Sequence, residues 1–268
     1  MTITQSQIEN FRNLGFLVIK DFFDAKVMNN ILKEVNAMED EEPLKGGIMK
    51  YFEESSNNSN PTPTKPLLIR IENFIEANDY LNSIVNHPTI HEILTELFDE
   101  PGVLLKEKIN YKPPGSPPDH LHQDSQAGWD DYGSEFLSVL IAVENSTTEN
   151  ACVEFDTSGA YKVSLAGPLW ERLDADDLPD LNLQPIETNS GDIIIFNSYV
   201  PHGSESNSSN QRRCNIYLTY NKLSEGDHRI NYFKDKRKSF PPNNEETLIK
   251  ITVLRSETRS VYWDSLCF

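Results

Sequence analysis

The residues of this chain best equipped for chemistry are His122, Asp124 and His202. His122-Gln123-Asp124 sets an imidazole and a carboxylate two positions apart, and in extended backbone such side chains project to the same side. One metal ion can then be gripped by both. The pair by itself is unspecific, and a hydrogen-bonded surface contact would account for it equally well. His202, in Tyr199-Val200-Pro201-His202-Gly203-Ser204, supplies what is missing. Two histidines and one carboxylate on one face of a ferrous ion leave open positions for oxygen chemistry. The same three groups could instead hold zinc and activate water for hydrolysis. His120 would share a strand face with His122, but Asp124 makes the required pair, so His120 is left outside the triad.

An oxygen-activating metal also needs a source of electrons held beside it. Arg213 follows His202 by eleven positions, and a guanidinium is a rigid fork for a carboxylate. That suits a dicarboxylate co-substrate chelating the metal at one end and paired with arginine at the other. Alone, Arg213 would be an ordinary surface ion pair. A second cationic feature lies in residues 103–111, where apolar and polar residues alternate and put Lys106, Lys108 and Asn110 on one face. These three are candidates to cradle an anionic substrate group; a solvated strand face is the plain alternative.

The elements that must position these groups follow from periodicity. Residues 8–13 and 25–38 carry apolar residues at helical intervals, with Asp24 as N-cap of the second helix. Residues 79–85 and 89–98 also read as helices, the latter with Pro88 at its start. His87 and His91 sit there beside apolar residues and read as structural. Strands are expected at 15–20, 67–71, 103–111, 136–143, 151–155, 193–196 and 214–220. The acidic, then Ser-, Asn- and Pro-rich stretch at 39–65 reads as connection, with 55–65 a surface loop that could lie over the site. Several short strands around a metal site imply a mainly β, α+β fold with flanking helices and a double-stranded β-helix (jelly-roll, cupin-like) core. A single domain over 1–268 is expected, with a helical part at about 1–100, the core at about 101–222 and an extension at about 223–268.

Bulk properties narrow the partners. A net charge of -18 over 268 residues argues against nucleic acid or an anionic membrane as a partner. It also means that a pocket for an anionic ligand must concentrate its own positive charge. Cys152, Cys214 and Cys267 are odd in number and widely spaced, as expected of free thiols in a cytoplasmic protein. The chain shows no membrane-length apolar run and no secretory signal pattern, so the sequons at Asn57, Asn145 and Asn207 read as coincidental.

In order along the chain, Gly15-Phe16-Leu17-Val18-Ile19-Lys20-Asp21-Phe22-Phe23, Asn110-Tyr111-Lys112-Pro113, His122-Gln123-Asp124, residues 148–154, Gly191-Asp192, Pro201-His202-Gly203-Ser204 and Arg212-Arg213 resemble the phytanoyl-CoA dioxygenase family of iron(II)- and 2-oxoglutarate-dependent oxygenases. The resemblance implies His122, Asp124 and His202 as iron(II) ligands, with 2-oxoglutarate and O2 as co-substrates. It implies Arg213 and Ser204 on one 2-oxoglutarate carboxylate, with Lys112 and Gln123 in the same binding group. The retained carboxylate implies hydroxylation, because halogenating relatives replace it with a small residue. Residues 219–229, 232–236 and 240–242 further resemble a subgroup that includes bacterial 2-aminoethylphosphonate hydroxylases. The substrate so implied is a small phosphonate hydroxylated beside phosphorus, as in phosphonate catabolism. Another small amine, an amino acid or a betaine stays open, as do a non-catalytic cupin-like metal-binding or sensor protein and a zinc hydrolase. Asp227, His228 and Arg229 either line the pocket or cap the helix running to Lys236.

Overall fold

The computed structural model describes residues 3–42, 44–53, 66–165, 173–174, 178–243 and 245. The expected loop at 55–65, Asn57 and Cys267 lie outside the described residues.

Helix α1 (Gln5–Leu14) begins at Thr4, whose hydroxyl and the Gln7 side chain satisfy each other's backbone N–H groups, and it stops at left-handed Gly15. Strand β1 (Phe16–Ile19) leads to α2 (Ala25–Asp40), where Asp24 accepts from the Val27 N–H at 2.9 Å. After β2 (Met49–Glu53) and β3 (Leu67–Glu72) come α3 (Asp79–Val85) and α4 (Pro88–Phe98). Then follow β4 (Gly102–Lys112), β5 (Asp119–His122), β6 (Phe136–Ala142), β7 (Val153–Asp156), β8 (Leu183–Pro185), β9 (Ile193–Asn197), β10 (His202–Ser204), β11 (Arg213–Lys222) and α5 (Arg229–Ser239).

Two antiparallel sheets result. The larger runs β1-β9-β6-β11-β4-β3-β2 and the smaller β5-β10-β7-β8, the two walls of the expected double-stranded β-helix. One correction to the sequence reading follows: part of the stretch expected as connection is strand β2, whose Met49, Lys50 and Tyr51 are buried. The strands before residue 101 complete the large sheet, β1 closing one edge on β9 and β2 with β3 forming the other. β10 is separate from β9, a turn at 198–200 carrying the chain across to the small sheet.

Strict alternation explains the layering. On β9, Ile193 and Ile195 face the helices, while Ile194 and Phe196 face the small sheet. On β6, Leu137, Val139 and Ile141 belong to the helix side, with Leu140 and Ala142 between the sheets. Both strands are buried on both faces, which is why they read as continuous apolar runs. β4 and β11 differ. Ile109, Tyr111, Cys214, Ile216, Leu218 and Tyr220 pack toward the helices. Their other face carries a polar row paired across the strands: Lys106 opposite Thr219, Lys108 opposite Tyr217, Asn110 opposite Asn215, and Lys112 opposite Arg213. Lys106, Lys108, Lys112 and Arg213 are all buried there. Burying so much like charge is costly; Asp119, ion-paired to Lys112 and Arg213, offsets part of that cost, and a row of buried cations facing the inter-sheet space suits an anionic ligand.

Helix α5 packs Tyr232 and Phe233 into an apolar cluster with Leu105, Trp129 and Phe136, and ions fasten it further. Arg229 bonds Glu107 at 2.7 and 3.0 Å and also engages Glu76 and Asn73; Asp227 accepts from the Arg229 N–H at 3.2 Å. His228 contacts the Glu225 carbonyl at 2.7 Å. These residues start and anchor the helix. Lys236 meets Glu72 at 2.8 Å, and Arg70 shares that carboxylate at 2.9 Å. Burial draws the Lys236 ammonium down to about 8, against the pull of Glu72. Between pH 8 and its ordinary 10.5, the folded chain therefore releases this proton before the unfolded chain does, and the group's contribution to stability rises with pH. Lys236→Met should flatten that rise, measured as urea midpoints across the same window; an unchanged slope would assign the titration elsewhere.

Candidate metal centre

His122 ends β5 and His202 opens β10, and the two are direct partners across the strand pair. Their rings lie 4.2 Å apart, centroid to centroid. Close approach of the two strands depends on Gly203, where an added Cβ would sit 2.9 Å from the Asp119 carbonyl oxygen. Asp124 is not on the strand: it begins a short 3-10 turn, Asp124–Ala127. Gln123 is nevertheless extended (φ -110°, ψ 132°), so His122 and Asp124 still project together. Their nearest ligand atoms, His122 Nε2 and Asp124 Oδ1, are 3.8 Å apart. Ligand atoms of His122, Asp124 and His202 all lie within 4.8 Å of one another, and all three residues are buried.

The surroundings hold each group in a metal-binding form. His122 Nδ1 bonds the His120 carbonyl at 2.7 Å, and His202 Nδ1 bonds the Val200 carbonyl at 2.9 Å. Each ring nitrogen next to a carbonyl must carry the proton, so the Nε2 atoms present the lone pairs that a metal would take. Burial lowers the His122 imidazole to about 3, with the neighbouring His202 acting the same way, and burial lowers His202 as well. For Asp124, burial favours the neutral acid, but His202, Lys108 and Lys106 outweigh it and bring the carboxyl to about 2. Neutral imidazoles and an ionised carboxylate are what a divalent cation needs. Asp124 Oδ1 is buried with no hydrogen-bond partner among the described residues. Such an orphan is costly, and a metal ion would satisfy it. The donor set therefore fits iron(II).

A cleft opens on these ligands, lined also by Lys108, Asn110, Asp119 and Tyr217. A second cleft adjoins it through Asn110 and Asp119 and reaches Glu53, Arg70, Lys112 and Arg213. Phe155 stacks on His202 at 5.6 Å and Phe196 meets it edge-on at 5.1 Å, a dry wall on the far side of the ligand.

The other sequence-derived residues divide. Lys112, Ser204 and Arg213 come together although they belong to three strands: Lys112 Nζ donates to Ser204 Oγ at 2.6 Å, and Arg213 lies opposite Lys112 in register. Arg213 is on the large sheet, whereas His202 and Ser204 are on the small one. Gln123 does not line the clefts. Its amide is committed to the carbonyls of Tyr199 (2.6 Å) and Val163 (3.0 Å) and to the Leu165 N–H (2.8 Å), so it braces the turn. The trio on β4 is split. Lys108 and Asn110 line the metal cleft, while Lys106 sits over the Trp129 ring at 4.0 Å. His120 is exposed and contributes its carbonyl rather than its ring. Sequence reasoning missed Asp119 and Tyr217; Tyr217 pairs with Lys108 across the strands, and its alternation in 213–222 was the available signal.

Comparison with known proteins agrees with this geometry. Residues 11–214 match the family model described as phytanoyl-CoA dioxygenase (PhyH). The chain is 36% identical to a 2-aminoethylphosphonate dioxygenase from the uncultured bacterium HF130_AEPn_1, covering 90% of each sequence. It is 31% identical to a methylphosphonate hydroxylase from Gimesia maris, covering 89% of this chain and 88% of that one. Among solved structures, EctD from S. alaskensis with 2-oxoglutarate and 5-hydroxyectoine has the same fold, with a TM-score of 0.68 at 17% identity over 83% of this chain and 77% of that one. Among the described residues, no helix is long and apolar enough to cross a membrane. With its ordered motifs, its paired sheets and its His-Asp-His cluster, the chain belongs to the phytanoyl-CoA dioxygenase family of iron(II)- and 2-oxoglutarate-dependent oxygenases.

Proposed function

We propose that this protein hydroxylates the carbon next to phosphorus in 2-aminoethylphosphonate or a closely related small phosphonate, with residues 1–268 working as one catalytic domain. The observation that carries the reading is the meeting, in one cleft, of His122, Asp124 and His202 with the Lys108 ammonium and the Asn110 amide. The two similar curated proteins named above, both acting on phosphonates, support the same substrate class.

His122, Asp124 and His202 would hold iron(II), and Arg213, Ser204 and Lys112 the far carboxylate of 2-oxoglutarate. When bound, iron(II) and 2-oxoglutarate supply the O2-dependent oxidation, releasing succinate and carbon dioxide as a C–H bond is hydroxylated. The chain's own work is positioning. Lys108 Nζ rests 4.8 Å from the Tyr217 ring centre, a low-dielectric setting that strengthens its hold on a phosphonate oxygen. Asn110 Oδ1 is buried without a hydrogen-bond partner among the described residues, so an N–H donor on the substrate would satisfy it. A single phosphonate-bearing amine meets both demands. Long acyl-CoA thioesters fit poorly with a compact cleft in so acidic a chain. We further place the protein in the cytoplasm, where free Cys152 and Cys214 stay reduced.

Purified, iron-loaded protein offered a panel of small phosphonates, amines, betaines and acyl-CoAs should release succinate most strongly with an aminophosphonate. A stronger response to a phosphorus-free amine would overturn the substrate assignment. Succinate release that needs both iron(II) and substrate separates this reading from zinc hydrolysis and from a non-catalytic sensor. Lys108→Ala should cost on the order of tenfold or more in kcat/KM for the phosphonate, the usual scale of a lost charge-assisted hydrogen bond. A neutral analogue should be far less affected, and equal losses would remove Lys108 from phosphonate recognition.

A further inference from the structure

Asp119 opens β5 three residues before His122 and points its carboxylate at the residues assigned above to 2-oxoglutarate. Its Oδ2 accepts from Ser204 Oγ at 2.5 Å and from Lys112 Nζ at 2.9 Å, with Arg213 Nη2 at 3.4 Å. Lys112 donates also to Ser204, so the four side chains form one connected cluster around a single carboxylate oxygen. The far end of 2-oxoglutarate is likewise a carboxylate, with the same planar shape, charge and appetite for donors. Two carboxylates cannot take the same N–H and O–H vectors at once.

Burial decides which partner can move. The Lys112 and Arg213 side chains are each 3% exposed, whereas that of Asp119 is 21% exposed. The donors are locked in the wall, with Arg213 Nη1 also engaging the Ala151 carbonyl, while Asp119 has a path to solvent. Asp119 also stands where the two clefts meet. Glu53 faces the same space, and burial together with the Asp119 charge already pushes the Glu53 carboxyl upward. An entering dianion would therefore meet a carboxylate on its anchor and a second one nearby.

Building on the oxygenase reading, we propose that Asp119 is an internal competitor for the co-substrate. Its carboxylate keeps Lys112, Ser204 and Arg213 aligned and yields them to the far carboxylate of 2-oxoglutarate, so this residue sets how tightly the co-substrate binds. Asp119 is a positioning residue here and takes no part in the chemical step.

The test is anaerobic titration of the iron(II) protein, reading the visible charge-transfer absorbance that a chelating 2-oxo acid produces. Pyruvate serves as the control, because it has the chelating end and no far carboxylate. Asp119→Asn keeps the size and one acceptor while removing the charge. It should bind 2-oxoglutarate about tenfold or more tightly than wild type, the scale of one charge-assisted hydrogen bond no longer contested. Pyruvate should tighten by less than about twofold, the residue of one charge acting at a distance through a polar medium. Unchanged or weaker 2-oxoglutarate binding would make Asp119 a fixed brace and overturn the proposal. Equal tightening of both acids would overturn it too, since the effect would then belong to the metal centre. Asp119→Ser carries the same expectation if the Asn variant fails to fold. A wild-type protein that gives the pyruvate band but no 2-oxoglutarate preference would instead defeat the assignment of Arg213, Ser204 and Lys112, and this inference with it.

Discussion

Asp124→Ala protein is expected to bind iron(II) on the order of 100-fold more weakly or worse, since even partners that only support a metal ligand are worth 10–100-fold. Substrate-dependent succinate release should fall to background. The reason lies in the local electrostatics. Asp124 is a buried carboxylate whose carboxyl is held low by the charged groups around it, Lys108 and Lys106 among them, and its Oδ1 has no hydrogen-bond partner among the described residues. An anion so placed has a cation as its natural partner, and two imidazoles with inward Nε2 atoms complete the set. Metal titration followed by calorimetry, on wild type and variant at matched pH, reads the effect directly. Turnover that survives the substitution would refute the ligand role of Asp124. Asp124→Asn keeps the side-chain volume, so comparing the two variants separates lost charge from a collapsed cavity.

The second large effect concerns Arg213. Removing one member of a buried, hydrogen-bonded charge pair costs about 2–5 kcal/mol, or roughly 30-fold and upward in affinity. Arg213→Ala should raise the 2-oxoglutarate concentration needed for half-maximal turnover by at least that factor and leave the substrate KM near its wild-type value. The guanidinium is buried opposite Lys112, so no other described arginine stands at that place in the ladder. Arg213→Lys should recover part of the loss, because the charge returns but the planar fork does not. Loss of substrate affinity with co-substrate binding intact would mean that Arg213 serves the other ligand. Varying each ligand at saturating levels of the other distinguishes the outcomes.

The fold was largely legible because alternation survives translation into structure. The apolar runs at β6 and β9 are buried on both faces, and the alternating run at β4 divides between the helices and the inter-sheet space. β2 was harder to see, since Lys50 and Glu53 punctuate a short strand that becomes ordered only by pairing with β3. The break between β9 and β10 was invisible for a similar reason: whether a strand continues or crosses to a second sheet depends on its partners. At the site, residue type and order named candidates, and the structure places the ligand atoms of His122, Asp124 and His202 within 4.8 Å of one another and sets Lys112 against Ser204 and Arg213. Gln123 was misjudged because its neighbours in sequence are ligands, whereas its amide is consumed by backbone from 163–165 and 199.

What the amino-acid sequence determined unaided is the inventory: which side chains can bind a metal or an anion, their order, and the face of the strand each occupies. Those properties are local, set by a two-residue period and by side-chain chemistry. Depth and company were decided only by the tertiary structure. Lys106 and Lys108 share a face, yet one lies over Trp129 and the other opens on the metal cleft. Asp119 carries no sequence signal of its own, yet it meets Lys112, Ser204 and Arg213 from three other places in the chain. Hydrogen bonds and ion pairs of this kind act over about 3 Å between residues far apart in sequence, so only the packing of two sheets can specify them.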